Sequence, residues 1–145
     1  MVEYRDDSVF PAPRDRVWQL LAAHQDDATI GRIHPLIRTQ RTVSRTETGS
    51  VVERTIDARG KLYRSTWKLT YRAPEFSRWE VVTSEGPWAV GSYVENSYTD
   101  APGGTRIQTH GDLRITVLPF FLPQRRFVRN VLESVDTEDR AFLRA

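Results

Sequence analysis

The sequence predicts an α+β fold in which a curved antiparallel sheet wraps around one long C-terminal helix. Two observations predict it. Residues from Leu122 to Leu143 repeat apolar side chains at the helical period. The chain from about Thr39 to Val117 instead alternates apolar and polar residues, with glycine and proline at hairpin spacing. Because an amphipathic helix must cover its apolar face, we expect it to pack on the sheet.

The long helix carries its apolar side chains on one broad arc when residues are placed at about 100° intervals. This arc comprises Phe127, Val128, Val131, Leu132, Val135, Phe142 and Leu143. Glu138 falls within the same arc although it is acidic. It could pair with a buried cation or transfer a proton, because an apolar setting raises the pKa of a carboxyl. The favoured interpretation is that it lies near the helix end and reaches solvent.

The N-terminal part predicts one strand and two helices. Val2 to Phe10 forms the strand, and Pro13 opens a helix because proline is tolerated at a first helical position. The apolar stripe of this helix consists of Val17, Leu20, Leu21 and His24. A second, shorter helical piece lies between Gln25 and Ile37. We expect Asp26 or Asp27 to cap it and Gly31 to end it.

Six strands follow, each separated from the next by glycine, proline or both, as expected for an antiparallel meander. They are predicted at Arg38–Glu47, Val51–Ala58, Lys61–Arg72, Phe76–Glu85, Trp88–Thr99 and Thr105–Val117. Alternation assigns the inward residues of four strands. These are Tyr63, Ser65, Trp67, Leu69 and Tyr71; Trp79 and Val81; Trp88, Val90, Ser92 and Val94; and Ile107, Thr109, Gly111, Leu113 and Ile115. The phase of Val51–Ala58 is ambiguous, and placing Val52 and Ile56 inward also brings Arg54 inward.

Length and composition predict one domain spanning residues 1–145. The net charge is only +2, and no segment is a concentrated basic block, which argues against nucleic-acid binding. The chain has no cysteine, which excludes thiolate chemistry and fits a reducing compartment. No apolar run approaches the ~20 residues of a membrane span, and the start of the chain is acidic. We therefore expect a cytoplasmic protein without stable membrane insertion.

The order strand, helix, helix, six strands and long helix resembles the helix-grip fold of the START and birch-pollen-allergen superfamily (SRPBCC). The stretch from Phe10 to Leu21, FPAPRDRVWQLL, is similar to the opening of its polyketide cyclase/dehydrase and lipid-transport family. Gly103-Gly104-Thr105-Arg106-Ile107 resembles that family's usual approach to the last strand. The resemblance implies a cavity between sheet and helix. It implies no shared catalytic residue.

Three functions remain open. The first is a binding or carrier protein for a small hydrophobic or amphipathic ligand, which could be a lipid, a quinone or a polyketide-like molecule. The second is a cyclase- or dehydratase-like enzyme that uses the same cavity. The third is a protein-interaction module with a filled core, meeting a protein partner or a second copy through Arg64, Lys68, Arg72, Arg106 and Arg114. Its best exposed apolar patch would be the Pro119–Pro123 link.

The carrier hypothesis is preferred, and it predicts the residues that line the ligand site. They are Arg54, Tyr63, Trp67, Tyr71, Trp79, Trp88, Val131, Val135 and Glu138. Arg54 would orient an acidic ligand group, because a guanidinium binds carboxylates and phosphates in a fixed geometry. An outward Arg54 on a charged sheet face is the alternative. The same aromatic residues could also simply fill a core.

Few side chains in the sequence are suited to catalysis or to metal binding. An enzyme would have to use Glu138, Tyr63, Tyr71 or His34, and His34 is more simply interpreted as a loop residue before Pro35. His110 and Asp112 lie two apart on an outward strand face, and no third ligand accompanies them, so we expect no metal site. There is no phosphate-binding loop and no nucleophile motif, and we expect no cofactor.

Overall fold

A computed structural model describes residues 2–58, 60–116 and 124–144. It contains seven strands and three helices over these ranges. The strands are β1 (Val2–Phe10), β2 (Ile37–Thr46), β3 (Gly49–Ala58), β4 (Lys61–Arg72), β5 (Phe76–Ser84), β6 (Tyr93–Ala101) and β7 (Gly104–Leu113). The helices are α1 (Arg14–Gln25), α2 (Ile30–Ile33) and α3 (Gln124–Arg144).

The strands form a single antiparallel sheet in the order β1-β7-β6-β5-β4-β3-β2. Consecutive strands from β2 to β7 are neighbours, as the short glycine- and proline-containing turns predict. The first strand joins the other end by pairing with β7. One face of the sheet carries α3, which contacts β1, α1 and α2. The predicted architecture, a sheet that holds one terminal helix, is confirmed.

The first N-terminal helix agrees with the prediction, and the second does not. Helix α1 follows Pro13 and buries Val17, Leu20 and Leu21, as predicted. The second helix is much shorter than predicted and has Thr29 at its N-cap, so the expected aspartate cap and the expected stop at Gly31 are wrong. Gly31 instead allows close packing, since a Cβ there would lie 2.9 Å from the backbone oxygen of Arg38.

Alternation along the strands places the predicted side chains on the inner face. In β4, Ser65, Trp67 and Leu69 are buried. The ambiguous phase of β3 is also resolved, because Val52, Arg54 and Ile56 are all buried. Arg54 therefore points inward, with only 6% of its surface exposed.

The predicted inward position of Val90 is wrong. Its surface is 59% exposed, although Trp88 and Ser92 on either side are buried. The alternation breaks because Gly91 adopts a φ of 88°, and the regular strand begins only at Tyr93. A positive φ is accessible to glycine at no steric cost, and it re-aims the chain before the strand.

Two apolar clusters pack between the sheet and the helices. One is built around Ile30, Ile37, Trp67, Trp88 and Val128. The other joins Phe10, Val17, Leu20, Tyr98 and Ile107. The Pro119–Pro123 link and the side chains of Phe127 and Leu143 lie outside the described residues.

Candidate functional site

The space between the sheet and the three helices is not completely filled. It contains a cavity of about 230 Å³. Its wall is formed by α1, by α3, by the turn between α2 and β2, and by residues of all seven strands. Strands β2 and β4 contribute one residue each, Ile37 and Trp67. Apolar and aromatic side chains dominate, and a few polar groups converge on it, which is the usual composition of a small-molecule site. An interaction module with a filled core does not fit this interior.

The predicted site residues divide into two groups. Six of them line the cavity: Arg54, Trp67, Trp79, Trp88, Val131 and Val135. The other three, Tyr63, Tyr71 and Glu138, are not among its lining residues. Strand β4 extends past the cavity at both ends, where Lys61 lies against the ring of Tyr63 and Trp18 packs edge-on against Tyr71. An inward phase therefore places a side chain on the correct face without placing it at the cavity.

Glu138 is exposed on α3, in agreement with the favoured interpretation of its position. The cavity-facing stripe of α3 consists of Val131, Leu132, Val135, Asp136 and Asp139. This stripe is rotated relative to the centre of the apolar arc. The acidic residues that α3 places at the wall are therefore Asp136 and Asp139, which the sequence pattern did not single out.

Arg54 is the most unusual residue of the wall, because it is a buried cation among aromatic rings. Its guanidinium carbon lies 4.2 Å from the ring centroid of Trp79 and 5.4 Å from that of Trp67. The negative faces of such rings stabilise a cation partly in place of water. In the described part of the chain, no carboxylate forms an ion pair with Arg54.

Two protein acceptors hold the guanidinium in place. Its Nε donates a hydrogen bond to Gln40 Oε1 at 2.8 Å. Its Nη2 lies 3.5 Å from the backbone oxygen of His24, which also accepts from Gln40 Nε2 at 3.2 Å. His24 lies in the last turn of α1, where carbonyl oxygens have no helical partner and the helix dipole is negative. The end of α1 thus supplies a partial negative charge to Arg54.

Gln40 is itself oriented by Asp27. The amide Nε2 of Gln40 donates to Asp27 Oδ1 at 3.1 Å, so that its oxygen faces Arg54. Thr42 donates to the same carboxylate from its backbone N and from Oγ1, both at 2.8 Å. Burial raises the pKa of Asp27, but these hydrogen bonds lower it by more, and the pKa lies below its ordinary value. An ionised Asp27 therefore fixes the amide of Gln40.

Most of the hydrogen-bonding capacity of Arg54 remains unused by the protein. A guanidinium carries five N–H donors, and the described residues provide acceptors only for Nε and Nη2. In the described ranges, no fully buried side-chain nitrogen or oxygen lacks a partner. Nη1 of Arg54, for which these ranges offer no acceptor, is therefore not fully buried, and we place it at the cavity that Arg54 lines. Burial lowers the pKa of Arg54 to about 9, so the group is still charged at neutral pH.

His34 also lines the cavity, at the turn between α2 and β2. Its Nδ1 accepts hydrogen bonds from the backbone nitrogens of Leu36 at 3.1 Å and Ile37 at 3.3 Å. Burial lowers the pKa of His34 well below its ordinary value, and the nearby charges of His24 and Arg54 lower it further. The imidazole is therefore neutral at physiological pH.

A histidine–aspartate pair closes the wall between α1 and α3. His24 Nε2 lies 2.9 Å from Asp139 Oδ1, and both side chains are largely buried. The ring of His24 is 6.1 Å from that of His34. Because a carboxylate orients an imidazole in many acid–base sites, this pair is a candidate for proton transfer.

The sheet side of the cavity carries two hydroxyl contacts. Tyr98 and Ser77 share a hydrogen bond of 2.8 Å between their oxygens, and Thr109 Oγ1 donates to Asn96 Oδ1 at 2.6 Å. Burial raises the pKa of Tyr98 to about 12, so its hydroxyl remains protonated. These hydroxyl and amide groups are uncharged and can give or accept hydrogen bonds.

Among the residues that the structure describes, no cluster of histidine and acidic side chains could hold a metal ion. His110, half of the pair considered from the sequence, contacts Glu95 and Glu3 on the outer side of the sheet. Within the same ranges, no helix is long and apolar enough to cross a membrane.

Comparisons with known proteins agree with this geometry. The family described as polyketide cyclase / dehydrase and lipid transport matches residues 1–139. No curated protein matches the chain.

Three solved structures illustrate the similarity of fold. The allergen Ara h 8.0201 has 15% identity and a TM-score of 0.75, with 98% of this chain and 97% of that chain covered. A START superfamily protein from Mycobacterium smegmatis has 12% identity and a TM-score of 0.78, with coverages of 98% and 97%. The aromatase/cyclase Zhui from Streptomyces sp. R1128 has 17% identity and a TM-score of 0.66, with coverages of 99% and 89%. Identities this low show the helix-grip fold alone, and the family match extends over nearly the whole chain. The chain therefore belongs to the polyketide cyclase/dehydrase and lipid-transport family.

Proposed function

We propose that the protein binds or carries a small amphipathic molecule whose acidic group pairs with Arg54 and whose hydrophobic part contacts the tryptophan walls. The observation that carries this proposal is a buried guanidinium with free donors toward the cavity and no carboxylate partner in the described part of the chain. A buried charge without a counter-ion is costly, and a ligand carboxylate would compensate it.

The size and lining of the cavity limit the ligand class. A volume of about 230 Å³ is somewhat below the ~300 Å³ at which pockets for drug-sized molecules begin. Trp67, Trp79 and Trp88 offer flat apolar surfaces. A compact aromatic or polycyclic acid of the polyketide kind fits these features better than a long-chain lipid.

Native mass spectrometry of the purified protein, followed by organic extraction, tests whether it retains such a molecule. Binding is then measured by tryptophan fluorescence with 2-naphthoate and its uncharged analogue 2-naphthamide. A charge-assisted hydrogen bond contributes about 1.5–3 kcal/mol, so the carboxylate should bind roughly tenfold to hundredfold more tightly.

Two arginine variants connect this preference to the site. Arg54→Met should abolish the preference for the carboxylate. Arg64→Met is the matched control, because Arg64 lies on the outer face of the adjacent strand and is exposed. Equal affinity for both probes in the native protein, or a preference that survives Arg54→Met, would contradict the proposal.

A cyclase-like reaction is the second candidate, and the His24–Asp139 pair favours it. With Nε2 directed to Asp139, His24 would accept a substrate proton at Nδ1, while Arg54 would stabilise the resulting oxyanion. A β-polyketo thioester is a suitable substrate class for a test. Asp139→Asn should then lower the rate about a hundredfold and leave 2-naphthoate binding unchanged.

A further inference from the structure

His34 is held in one tautomer by its own turn. Both hydrogen bonds to its Nδ1 come from backbone N–H groups, at Leu36 and Ile37, which can only donate. Nδ1 must therefore be unprotonated, and in the neutral ring the proton lies on Nε2. Pro35 fixes this arrangement, because the residue before a proline is restricted to extended backbone, and His34 has φ −97° and ψ 129°.

The Nε2–H group of His34 is a donor with no acceptor in the described part of the chain. The ring lines the same cavity as Arg54, and the charge of Arg54 is close enough to depress protonation of the imidazole. A base at this position would have to act through Nδ1, and protonation there would break two backbone hydrogen bonds. His34 is thus arranged to donate and not to accept a proton.

We propose that the Nε2–H of His34 is the second donor of the anion site, so that the acidic group of the ligand is held between Arg54 and His34. This inference rests on the proposed function and deepens it. Arg54 supplies charge, whereas His34 supplies a neutral donor of fixed direction. An acceptor-only group with two oxygens, such as a carboxylate or an enolate conjugated to a carbonyl, can satisfy both donors.

The tautomer is measured first, in the free protein, by long-range ¹H–¹⁵N correlation of the imidazole. We expect protonated Nε2 and unprotonated Nδ1. Addition of 2-naphthoate should shift the Nε2–H resonance downfield, and 2-naphthamide should shift it much less. A proton on Nδ1, or an Nε2–H resonance that is indifferent to the carboxylate, would overturn the inference without the use of any variant.

His34→Asn then removes the donor but keeps the turn. An asparagine oxygen accepts a hydrogen bond from the backbone nitrogen two residues on, as Nδ1 does from Leu36, but its side chain does not extend to the position of Nε2. The acceptor is an ionised carboxylate, so the lost hydrogen bond is charge-assisted, and 2-naphthoate binding should weaken roughly tenfold to hundredfold. Binding of 2-naphthamide should change much less, because its oxygen is uncharged.

The outcomes separate this inference from the proposal on which it rests. If the native protein prefers the carboxylate and Arg54→Met abolishes that preference, but His34→Asn leaves it intact, the role of His34 is wrong and the proposed function stands. If the native protein shows no preference for the carboxylate, both are wrong. An unchanged melting temperature of His34→Asn verifies that the turn is retained.

Discussion

Gln40 accepts a hydrogen bond from Arg54, with 2.8 Å between Oε1 and Nε, and the same Gln40 amide donates to Asp27. A neutral amide thus stands between a buried cation and the carboxylate that could have neutralised it. Direct pairing of Asp27 with Arg54 would neutralise the guanidinium, and an acidic ligand would then gain little by binding to it. The interposed glutamine fixes the guanidinium while its charge remains available to the cavity.

Replacement of Gln40 by methionine tests this arrangement. The variant removes the acceptor of Arg54 Nε and one donor to Asp27, and an unsatisfied buried polar group costs about 1–3 kcal/mol. We expect the free energy of unfolding to fall by this amount in urea denaturation. Carboxylate affinity should also fall, because Arg54 is no longer oriented.

Gln19→Met is a suitable control for Gln40→Met, since Gln19 is exposed on α1. Its free energy of unfolding should change by less than about 0.5 kcal/mol. An undiminished stability of Gln40→Met would mean that Arg54 finds another acceptor and that Gln40 does not position it.

The fold was predictable from the sequence because its patterns are local. The stripe of α1 and the alternation of β4 each follow from the spacing of apolar residues. The short length of α2 and the close packing of Gly31 against the backbone of Arg38 were not predictable, because local sequence patterns do not specify tertiary contacts. Val90 was misplaced because a single positive φ at Gly91 interrupts the alternation.

The site was predictable only in part. Alternation brought Arg54, Trp67 and Trp79 to the inner face, but it carries no information on where along a strand the cavity ends. The support from Gln40 and the His24–Asp139 pair depends on contacts between residues far apart in the sequence. The sequence pattern did place His24 on the inner stripe of the first helix, but it gave no sign of its partner Asp139 on α3.

Ligand affinity should depend on pH through Arg54. Burial lowers its pKa to about 9, and a bound carboxylate favours the charged form and raises that pKa in the complex. The affinity for 2-naphthoate should therefore be constant from about pH 6, where the ligand carboxyl is ionised, to about pH 8, and should fall above about pH 9 by at most about tenfold per pH unit. Calorimetry in buffers of different ionisation enthalpy should detect proton uptake on binding in the upper range.

Binding of 2-naphthamide provides the comparison for this pH dependence. It should show no such fall, because an uncharged amide gains little from the charged guanidinium. If both probes lose affinity in parallel, the cause is a general loosening of the protein and not the titration of Arg54.

Trp67 is expected to contribute to both the core and the site. It is only 8% exposed, it donates from Nε1 to Ser65 Oγ at 2.8 Å, and its ring faces Arg54. Trp67→Ala should lower the free energy of unfolding by about 3–5 kcal/mol, as for other large buried aromatic residues. Ligand affinity, measured well below the melting temperature, should fall as well. A large loss of stability with unchanged affinity would remove Trp67 from the site.

Two valines on α3 provide a test of whether the ligand binds in the cavity. Val135 lines the cavity, whereas Val128 is 1% exposed, packs in the core and is not among the lining residues. Enlargement of a side chain in a densely packed core costs about 1–3 kcal/mol, so Val128→Phe should lower the free energy of unfolding by that amount. Val135→Phe should cost less, because the added ring can enter the cavity, and it should reduce 2-naphthoate binding at least about tenfold. Binding that is unaffected by Val135→Phe, with the variant as stable as the native protein, would place the ligand elsewhere on the molecule.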